Sequence, residues 1–312
     1  MYYNYKGTGG INDVFLGFAA DVLKMPNTRL SLGVHGSYLF GSVTNTRKSG
    51  LIQTALASTN YAGGVSMKSL RANSFHYEFG LSFEQRINEK HLLGFYATID
   101  PLQKIKGEYV DELYYTSDIN DPGLYDTLFY NDTASGHITN VPTYNFALMY
   151  KFNFKANKGE TKELNSELSF HVGYTLQDWS KYQDRYDPNF VNGFQSTTKY
   201  TFGIQYVPEV NFTAGEAKSK YYHRMRYRIG AYYQTLPYIT SGEQVRDFGT
   251  TFGFGFPVAI NRTLSSVNLG FSIGSRGVSD GTALKEQYYG INIGLLIAPT
   301  AADKWFRKRK LN

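Results

Sequence analysis

The feature of this sequence that most limits its possible folds is a regular alternation of bulky apolar residues with small or polar ones. In one run the apolar positions are Leu168, Phe170, Val172, Tyr174 and Leu176, and the positions between them are Ser169, His171, Gly173 and Thr175. Neighbouring side chains of a β-strand point to opposite faces of its sheet. The run is therefore predicted to be a strand with one apolar and one polar face.

Eleven runs of this kind follow Ile11, each close to the length of about 9–11 residues that a tilted membrane strand needs. They cover 14–22, 30–40, 75–83, 93–99, 144–152, 168–176, 200–206, 225–233, 248–256, 267–273 and 289–297. Strands of soluble sandwiches are usually shorter, about 5–6 residues. The face opposite the aromatic residues is rich in Gly, Ser, Thr, Asn and charge, which suits a polar lumen. The sequence thus predicts an all-β fold, an antiparallel transmembrane β-barrel with about 11–12 strands present.

The connections between the runs tend to alternate in length. The short ones are 24–28, 88–90, 156–165, 209–220 and 259–264, and the longer ones are 41–73, 106–141, 180–196, 237–244 and 276–284. Bacterial outer-membrane barrels have short periplasmic turns, longer external loops and an even number of strands. The last strand is therefore expected to end in the periplasm. At least one upstream strand is expected to be missing, or reduced to residues 1–6.

Composition agrees with a membrane barrel and excludes several other classes. The chain is 16% aromatic, with 27 Tyr and 22 Phe, and Tyr suits a membrane interface. No stretch approaches the roughly 18 apolar residues of a membrane helix. The absence of cysteine excludes disulfides and thiolate chemistry. The net charge of +6 is spread along the chain, so no nucleic-acid partner is expected, and the basic residues at 303–312 are predicted to form a solvated periplasmic tail.

Three stretches resemble FadL-like outer-membrane proteins of Bacteroidetes. They are YKGTGGINDVFLG at 5–17, LSLGVHGSYLFG at 30–41 and KWFRKRK at 304–310. The resemblance covers the two ends of the chain, and the middle only as barrel pattern. It implies a fourteen-strand barrel with an N-terminal hatch in the outer membrane of a Gram-negative cell. The hatch and the first strands are not found in this sequence, and no apolar leader opens it. We therefore expect residues 1–312 to form a single, N-terminally incomplete barrel domain.

The same resemblance implies two alternative functions. The first is passive transport of hydrophobic small molecules, such as long-chain fatty acids, through the barrel. The second is a barrel scaffold or accessory protein of type IX protein secretion. A transporter should have an apolar pocket inside the barrel and an opening in its wall, whereas a scaffold should have a plugged lumen and an ordered external surface. The expected partners are outer-membrane lipid and either a hydrophobic ligand or secretion-system proteins.

The strongest candidate for a ligand site is a set of three arginines at spacing two, Arg224, Arg226 and Arg228. Positions i, i+2 and i+4 of a strand share one face, and the residues between these arginines are apolar, so the arginines are predicted to point into the lumen. Arginine suits bidentate binding of a carboxylate headgroup. The alternative is an ion-pair network with lumen carboxylates, for which the candidates are Glu78, Glu84 and Asp247.

His76 and Glu78 share the inward parity and complete the predicted lumen site. A metal site is not expected, because no HExxH spacing exists. The carboxylates of 111–126 could hold calcium, but a solvated external loop is the alternative interpretation. No serine is predicted to lie at a strand-to-helix nucleophile elbow, and the glycines at 7–10 lack the lysine of a phosphate loop. We therefore expect neither an enzyme nor a bound cofactor.

Overall fold

The computed structural model describes residues 2–50, 63–154, 166–186, 190–208, 220–260, 263–278 and 285–296. Thirteen antiparallel strands form a single sheet in this part of the chain. They are β1 (Tyr2–Lys24), β2 (Thr28–Gly50), β3 (Gly63–Arg86), β4 (His91–Asp100), β5 (Gln103–Thr116), β6 (Tyr125–Asn140), β7 (Thr143–Phe154), β8 (Ser166–Gln177), β9 (Thr197–Val207), β10 (Arg226–Thr240), β11 (Glu243–Ile260), β12 (Thr263–Gly277) and β13 (Glu286–Leu296). Three short 3-10 helices lie at Pro122–Leu124, Trp179–Lys181 and Tyr221–His223. No helix among the described residues is long and apolar enough to cross a membrane.

Eleven of the strands follow one hydrogen-bonded order, β1-β2-β3-β4-β7-β8-β9-β10-β11-β12-β13. Each of the eleven alternating runs of the sequence falls on one of these strands, so the all-β, antiparallel barrel fold is confirmed. Within the described ranges, β1 pairs only with β2 and β13 pairs only with β12. Of the two alternatives for the upstream strand, its reduction to residues 1–6 is wrong, because β1 runs without interruption from Tyr2 to Lys24.

The strand register separates the two faces as the alternation predicts. Phe146 lies opposite Tyr174, which lies opposite Tyr200, which lies opposite Tyr233, so one row of aromatic rings crosses four strands. Apolar side chains of this face are exposed, for example Phe202 at 47% and Ile229 at 49%. An exposed apolar band of this kind is what the lipid-contacting face of a barrel requires.

Two connections that the sequence interprets as long loops are β-structure instead. The predicted loop 41–73 is occupied by the continuation of β2 to Gly50 and by the start of β3 at Gly63. The predicted loop 106–141 is the hairpin of β5 and β6. The residues that could have indicated this hairpin are the prolines at its base, Pro101 and Pro142. The hairpin of β4 and β7 stops at the pair Asp100–Thr143 and resumes as β5 and β6 at the pair Gln103–Asn140.

Pro101 and Pro142 interrupt the two strands of this hairpin at the same level. Proline has no N–H to donate to a neighbouring strand, so paired prolines break a hydrogen-bonded ladder. Beyond the break, β5 pairs with the first part of β3, from Gly63 to Ala72. The predicted loop 237–244 is also shorter than expected, because β10 and β11 are joined by the tight turn Ser241–Gly242, in which both residues have positive φ.

These strands lengthen the sheet at one end, and we call this additional part the sheet extension. It consists of 41–50 of β2, 63–72 of β3, all of β5 and β6, and the paired first residues of β1. β1, β2 and β3 contain 23, 23 and 24 residues. β4, β8 and β9 contain 10, 12 and 11 residues, which is the length of a membrane strand. At about 3.3 Å per residue, the ten residues 63–72 of β3 add roughly 30 Å beyond β4.

A buried glutamine bridges the break in the ladder. The Gln103 side chain accepts a hydrogen bond from Tyr77 N at 3.0 Å and donates one to Tyr77 O at 2.8 Å. Its amide thus replaces the backbone of a neighbouring strand between the part of β3 that pairs with β4 and the part that pairs with β5. The Gln103 residue is only 8% exposed, so Tyr77 would not easily find water as a substitute partner.

We expect the substitution Gln103→Leu to open the sheet locally at Tyr77. It removes both bonds to the Tyr77 backbone, and one hydrogen bond contributes about 1 kcal/mol net. Hydrogen–deuterium exchange of the peptide that contains Tyr77 should therefore become about fivefold faster or more. Gln195→Leu is the matched control, because the Gln195 side chain is exposed. Equal exchange in both variants would contradict the bridging role of Gln103.

Candidate functional site

Two of the three predicted arginines form a pair on the polar face of the sheet. Arg226 is the first residue of β10, and Arg228 follows on the same face, opposite Gln205 of β9 and Gly253 of β11. Their inward orientation is thus the one that the alternation predicts. Arg224 does not belong to the ladder. It caps the short helix Tyr221–His223, and its guanidinium lies over the Tyr221 ring at 5.6 Å.

Glycines make room for the long side chains of this arginine pair. A Cβ at Gly253 would lie 3.3 Å from the Arg228 Cβ, and one at Gly255 would lie 3.2 Å from the Arg226 Cβ. The Arg228 side chain lies across the neighbouring strands. Its Nε donates to Gln205 Oε1 at 2.8 Å, and its Nη1 donates to Asn268 Oδ1 at 3.3 Å. Both partners are neutral amides, so these contacts orient the guanidinium without neutralising its charge.

Arg228 borders a lumen cavity of about 380 Å³. Its polar lining comes from His171, Lys199, Thr201, Gln205, Arg228, Tyr232 and Thr251. The Lys199 ammonium lies over the Tyr232 ring at 5.9 Å. Two cations therefore border one cavity, and the charge and fork geometry of arginine suit a carboxylate or another anion. Arg228 is thus the predicted site residue that lies at this cavity.

The ion-pair network predicted for the arginines is wrong in its partners. Asp247 pairs with Arg276, whose Nη2 lies 2.9 Å from Asp247 Oδ2. Glu84 accepts a hydrogen bond from the Tyr96 hydroxyl at 2.9 Å. Glu78 lies on β3 beside a second cavity, of about 320 Å³, that shares no residue with the first. The sequence shows which residues point inward, but it does not show which strands become neighbours.

Asp247 is the centre of a polar cluster that sequence reasoning named only as a possible partner. The carboxylate is 2% exposed and also accepts hydrogen bonds from the hydroxyls of Tyr288, at 2.6 Å, and Tyr232, at 3.3 Å. Those two hydroxyls contact each other although β11 and β12 lie between their strands. Gly249 and Gly274 permit this, because a Cβ at either position would lie 2.8 Å from the Tyr232 hydroxyl.

His76 belongs to a different polar cluster, at the break between β4 and β5. Its Nε2 lies 3.1 Å from Asp100 Oδ1, and its Nδ1 lies 3.4 Å from Ser37 Oγ. These residue types are those of a hydrolytic triad. However, Ser37 is 5% exposed, and Asn140 Nδ2 lies 3.2 Å from His76 Nε2 and donates to Asp100 Oδ2 at 3.0 Å. The cluster thus ties four strands together, and we assign it a structural role.

The five predicted site residues therefore do not form one site. Arg226 and Arg228 share a face of β10, but Arg228 alone of the two lines the first cavity. Arg224 lies before the strand, and His76 and Glu78 lie on β3 in separate surroundings. The lumen of the described residues is thus lined by several polar clusters. The prediction of a ligand site at the arginine pair stays a prediction.

The acidic stretch 111–126 is not the irregular loop that the sequence suggests. Its first part belongs to β5, where Asp111 forms an ion pair with Lys68 of β3 at 3.4 Å. Asp121 Oδ1 accepts a hydrogen bond from Gly123 N at 2.9 Å and caps the short helix at the tip of the hairpin. In the described ranges, no three His, Asp or Glu side chains lie together so that they could hold a metal ion. The carboxylates of this stretch serve the hairpin itself.

A segment after β8 folds back onto β6, and no pattern in the sequence predicted this contact. Thr139 N donates to Gln183 O at 2.8 Å, and Arg185 N donates to His137 O at 3.0 Å. Tyr186 is 2% exposed, and its ring stacks on Tyr109. Burial lowers the pKa of the His137 imidazole, and the cations Lys104, Arg185 and Lys106 lower it further, so His137 is neutral at pH 7.

The fold and the polar lumen face define this chain as a β-barrel of the outer-membrane type. The family model described as BamG matches residues 1–312, so the chain belongs to the BamG family. The comparison with curated proteins found no match. Among solved structures, the chain is similar to one titled "CymD monoaromatic hydrocarbon channel", with 11% identity, 88% of this chain and 83% of that chain covered, and a TM-score of 0.39. That likeness carries no weight for function.

We expect Asp247→Asn to destabilise the barrel by about 1–2 kcal/mol. The substitution removes the charge that Arg276 and two tyrosine hydroxyls bind, and hydrogen bonds to a charged group contribute about 1.5–3 kcal/mol. The lower end applies because the Arg276 side chain is 47% exposed. Denaturant unfolding in lipid vesicles measures the change. Asp13→Asn, at an exposed position of β1, is the control, and equal midpoints for the two variants would contradict the prediction.

Proposed function

We propose that this member of the BamG family is an outer-membrane scaffold that holds a partner protein on its sheet extension. The observation that carries the proposal is the length of β1, β2 and β3, which is about twice what a bilayer requires. The extension lies at the end of the sheet opposite the turns of three and four residues that join β1 to β2 and β3 to β4. Because short turns of bacterial barrels face the periplasm, we place the extension outside the cell.

The side chains of the hairpin of β5 and β6 support this proposal. Several large apolar residues of the hairpin are exposed, namely Leu113, Tyr115, Leu124, Leu128, Phe129 and Tyr130. Lipid does not explain their exposure, because β5 and β6 lie beyond the strands of membrane length. Apolar side chains that remain exposed together in water are typical of protein interaction sites. An ordered external surface is also what distinguishes a scaffold from a transporter.

An accessory role in type IX protein secretion is a specific form of this proposal. It requires that the partner be a secretion protein.

The proposal can be tested by removing the hairpin. Asp100 and Thr143 are paired across β4 and β7, so an Asn-Gly turn can join them and replace residues 101–142. We expect the shortened barrel to assemble in the membrane, because β4 keeps its pairing with β7. A photo-reactive side chain at Tyr130 of the full chain identifies the partner by covalent capture in living cells, and we expect the shortened barrel no longer to co-purify with that partner.

The control for capture is the same photo-reactive side chain at Phe252, which is 41% exposed on the lipid-facing side of β11. A discrete protein adduct at Tyr130 but not at Phe252 supports the scaffold. Recovery of the same partner with the shortened barrel, or the absence of any adduct throughout the extension, would overturn it.

A second candidate function is passage of a hydrophobic molecule with an acidic headgroup, such as a long-chain fatty acid. The observation in its favour is the cavity bordered by Arg228 and Lys199. The arginines would hold the carboxylate, and the rest of the lumen would have to receive the chain.

For this candidate, the double substitution Arg226→Gln and Arg228→Gln is expected to weaken binding of a fluorescent fatty acid at least tenfold. That change corresponds to about 1.4 kcal/mol, which is within the range of a charged hydrogen bond. Arg71→Gln, on the sheet extension, is the control for loss of positive charge. Unchanged affinity in the double variant would remove the headgroup site.

A further inference from the structure

The sheet extension ends in a step. β6 continues the line of β7, but β8, the neighbour of β7, stops at Gln177. The edge of β6 therefore rises above the end of β8. In the described part of the chain β6 pairs with β5 on one side, and the other side receives only the bridge between Ile138 and Asp184. A strand edge presents a row of N–H and C=O groups that can pair with another chain.

The protein itself shows that this edge accepts an added strand. The bridge of Ile138 with Asp184 is antiparallel, and two backbone hydrogen bonds flank it, from Thr139 N to Gln183 O and from Arg185 N to His137 O. Among the described residues, the segment 183–185 thus pairs with the edge at 137–139. The part from Tyr125 to Thr133 carries the same backbone groups, and it pairs only with β5 in the described residues.

The middle of the open part of the edge is apolar on both faces. Leu128, Phe129 and Tyr130 are consecutive and are 51%, 48% and 57% exposed. The register shifts at Leu128, because Leu113 faces Phe129 while Tyr114 faces Thr127. Leu128 is therefore the extra residue of a β-bulge, and an edge ladder is expected to begin after it, at Phe129. Edge strands that avoid pairing usually carry lysine or proline, and neither residue occurs from 125 to 140.

The formal charge of the hairpin favours a basic partner over an acidic one. Residues 103–140 contain two lysines and seven carboxylates, a formal charge of −5 with His137 neutral, although the whole chain carries +6. A second copy of this edge would bring two acidic hairpins together, which disfavours it. A basic segment would meet a complementary field and would also neutralise the exposed carboxylates of the hairpin.

We infer that the edge of β6 from Phe129 to Thr133 binds an extended, basic segment of a partner protein by adding it as a further strand. This inference rests on the proposed scaffold function and specifies where the partner binds and what chemistry it has. The added strand would lie beside β6, above the end of β8. It would continue the antiparallel pairing that residues 183–185 make with β6.

The test uses the full chain in lipid nanodiscs and three synthetic peptides of about ten residues, a length that forms one strand. The first alternates Lys with Val and Thr, the second has Glu in place of Lys, and the third is the basic peptide with a central Pro. We expect saturable binding of the first peptide, with slowed hydrogen exchange at 129–133. We expect at least tenfold weaker binding of the acidic peptide, and no slowed exchange with the proline peptide.

The test variant is Asp126→Lys with Tyr130→Lys, which places lysines on the edge and reverses part of its charge. Its matched control is Glu89→Lys with Tyr222→Lys, at the opposite end of the sheet. We expect affinity for the basic peptide to fall at least tenfold in the test variant and to stay unchanged in the control. Equal loss in both variants, or equal binding of the basic and acidic peptides, would overturn the inference.

Photo-capture in cells distinguishes failure of the edge-binding inference from failure of the proposed scaffold function. If photo-capture succeeds at Tyr115 or Leu124 but not at Tyr130, the scaffold stands and the edge is not its binding site. If capture fails at all three positions, the scaffold itself falls.

Discussion

The backbone ladder between β2 and β3 is the interaction on which the rest of the molecule depends. It pairs every residue from Thr28 to Gly50 with one from Gly63 to Gln85 without a register shift. Inside a bilayer, each unpaired N–H or C=O costs several kcal/mol, so a ladder of this kind fixes the strands in place. The same ladder continues beyond membrane length, and it carries β5 and β6 with it. One set of hydrogen bonds therefore serves both the membrane barrel and the wall that rises from it.

Polar clusters on the inner face reinforce the ladder at particular points. Glycine rows let side chains lie flat against the sheet, as where Tyr232 and Tyr288 meet at Asp247. At the break between β4 and β5, side chains of Gln103 and Asn140 replace backbone partners and hold His76 and Asp100. Each cluster joins residues from strands that are distant along the chain. Such side-chain networks favour one sheet register over alternatives shifted along the strands.

The sequence predicted the eleven strands and their two faces, because a period of two is visible in any stretch of about ten residues. It also predicted that Arg226 and Arg228 point inward. The sheet extension was missed, because polar residues of 41–50 and 63–72 hide the alternation where both faces meet water. Ion-pair partners were missed for a different reason. The Asp247–Arg276 pair depends on the spacing of β11 and β12 in register, and local periodicity does not contain that information.

The break at Pro101 and Pro142 also affects how such a barrel can diversify. Two residues interrupt each strand, Pro101 and Leu102 on one and Val141 and Pro142 on the other. Residues that lie opposite each other in an antiparallel pair share a face of the sheet, and even-numbered residues of β3 lie opposite even-numbered residues of β4 but odd-numbered residues of β5. The break thus inverts the alternation, and the inward and outward positions above it are set separately from those below it. The hairpin above the break is therefore an independent module in evolutionary terms. It can be lengthened, exchanged or recoded for a new binding preference while the lipid-facing pattern below it is conserved.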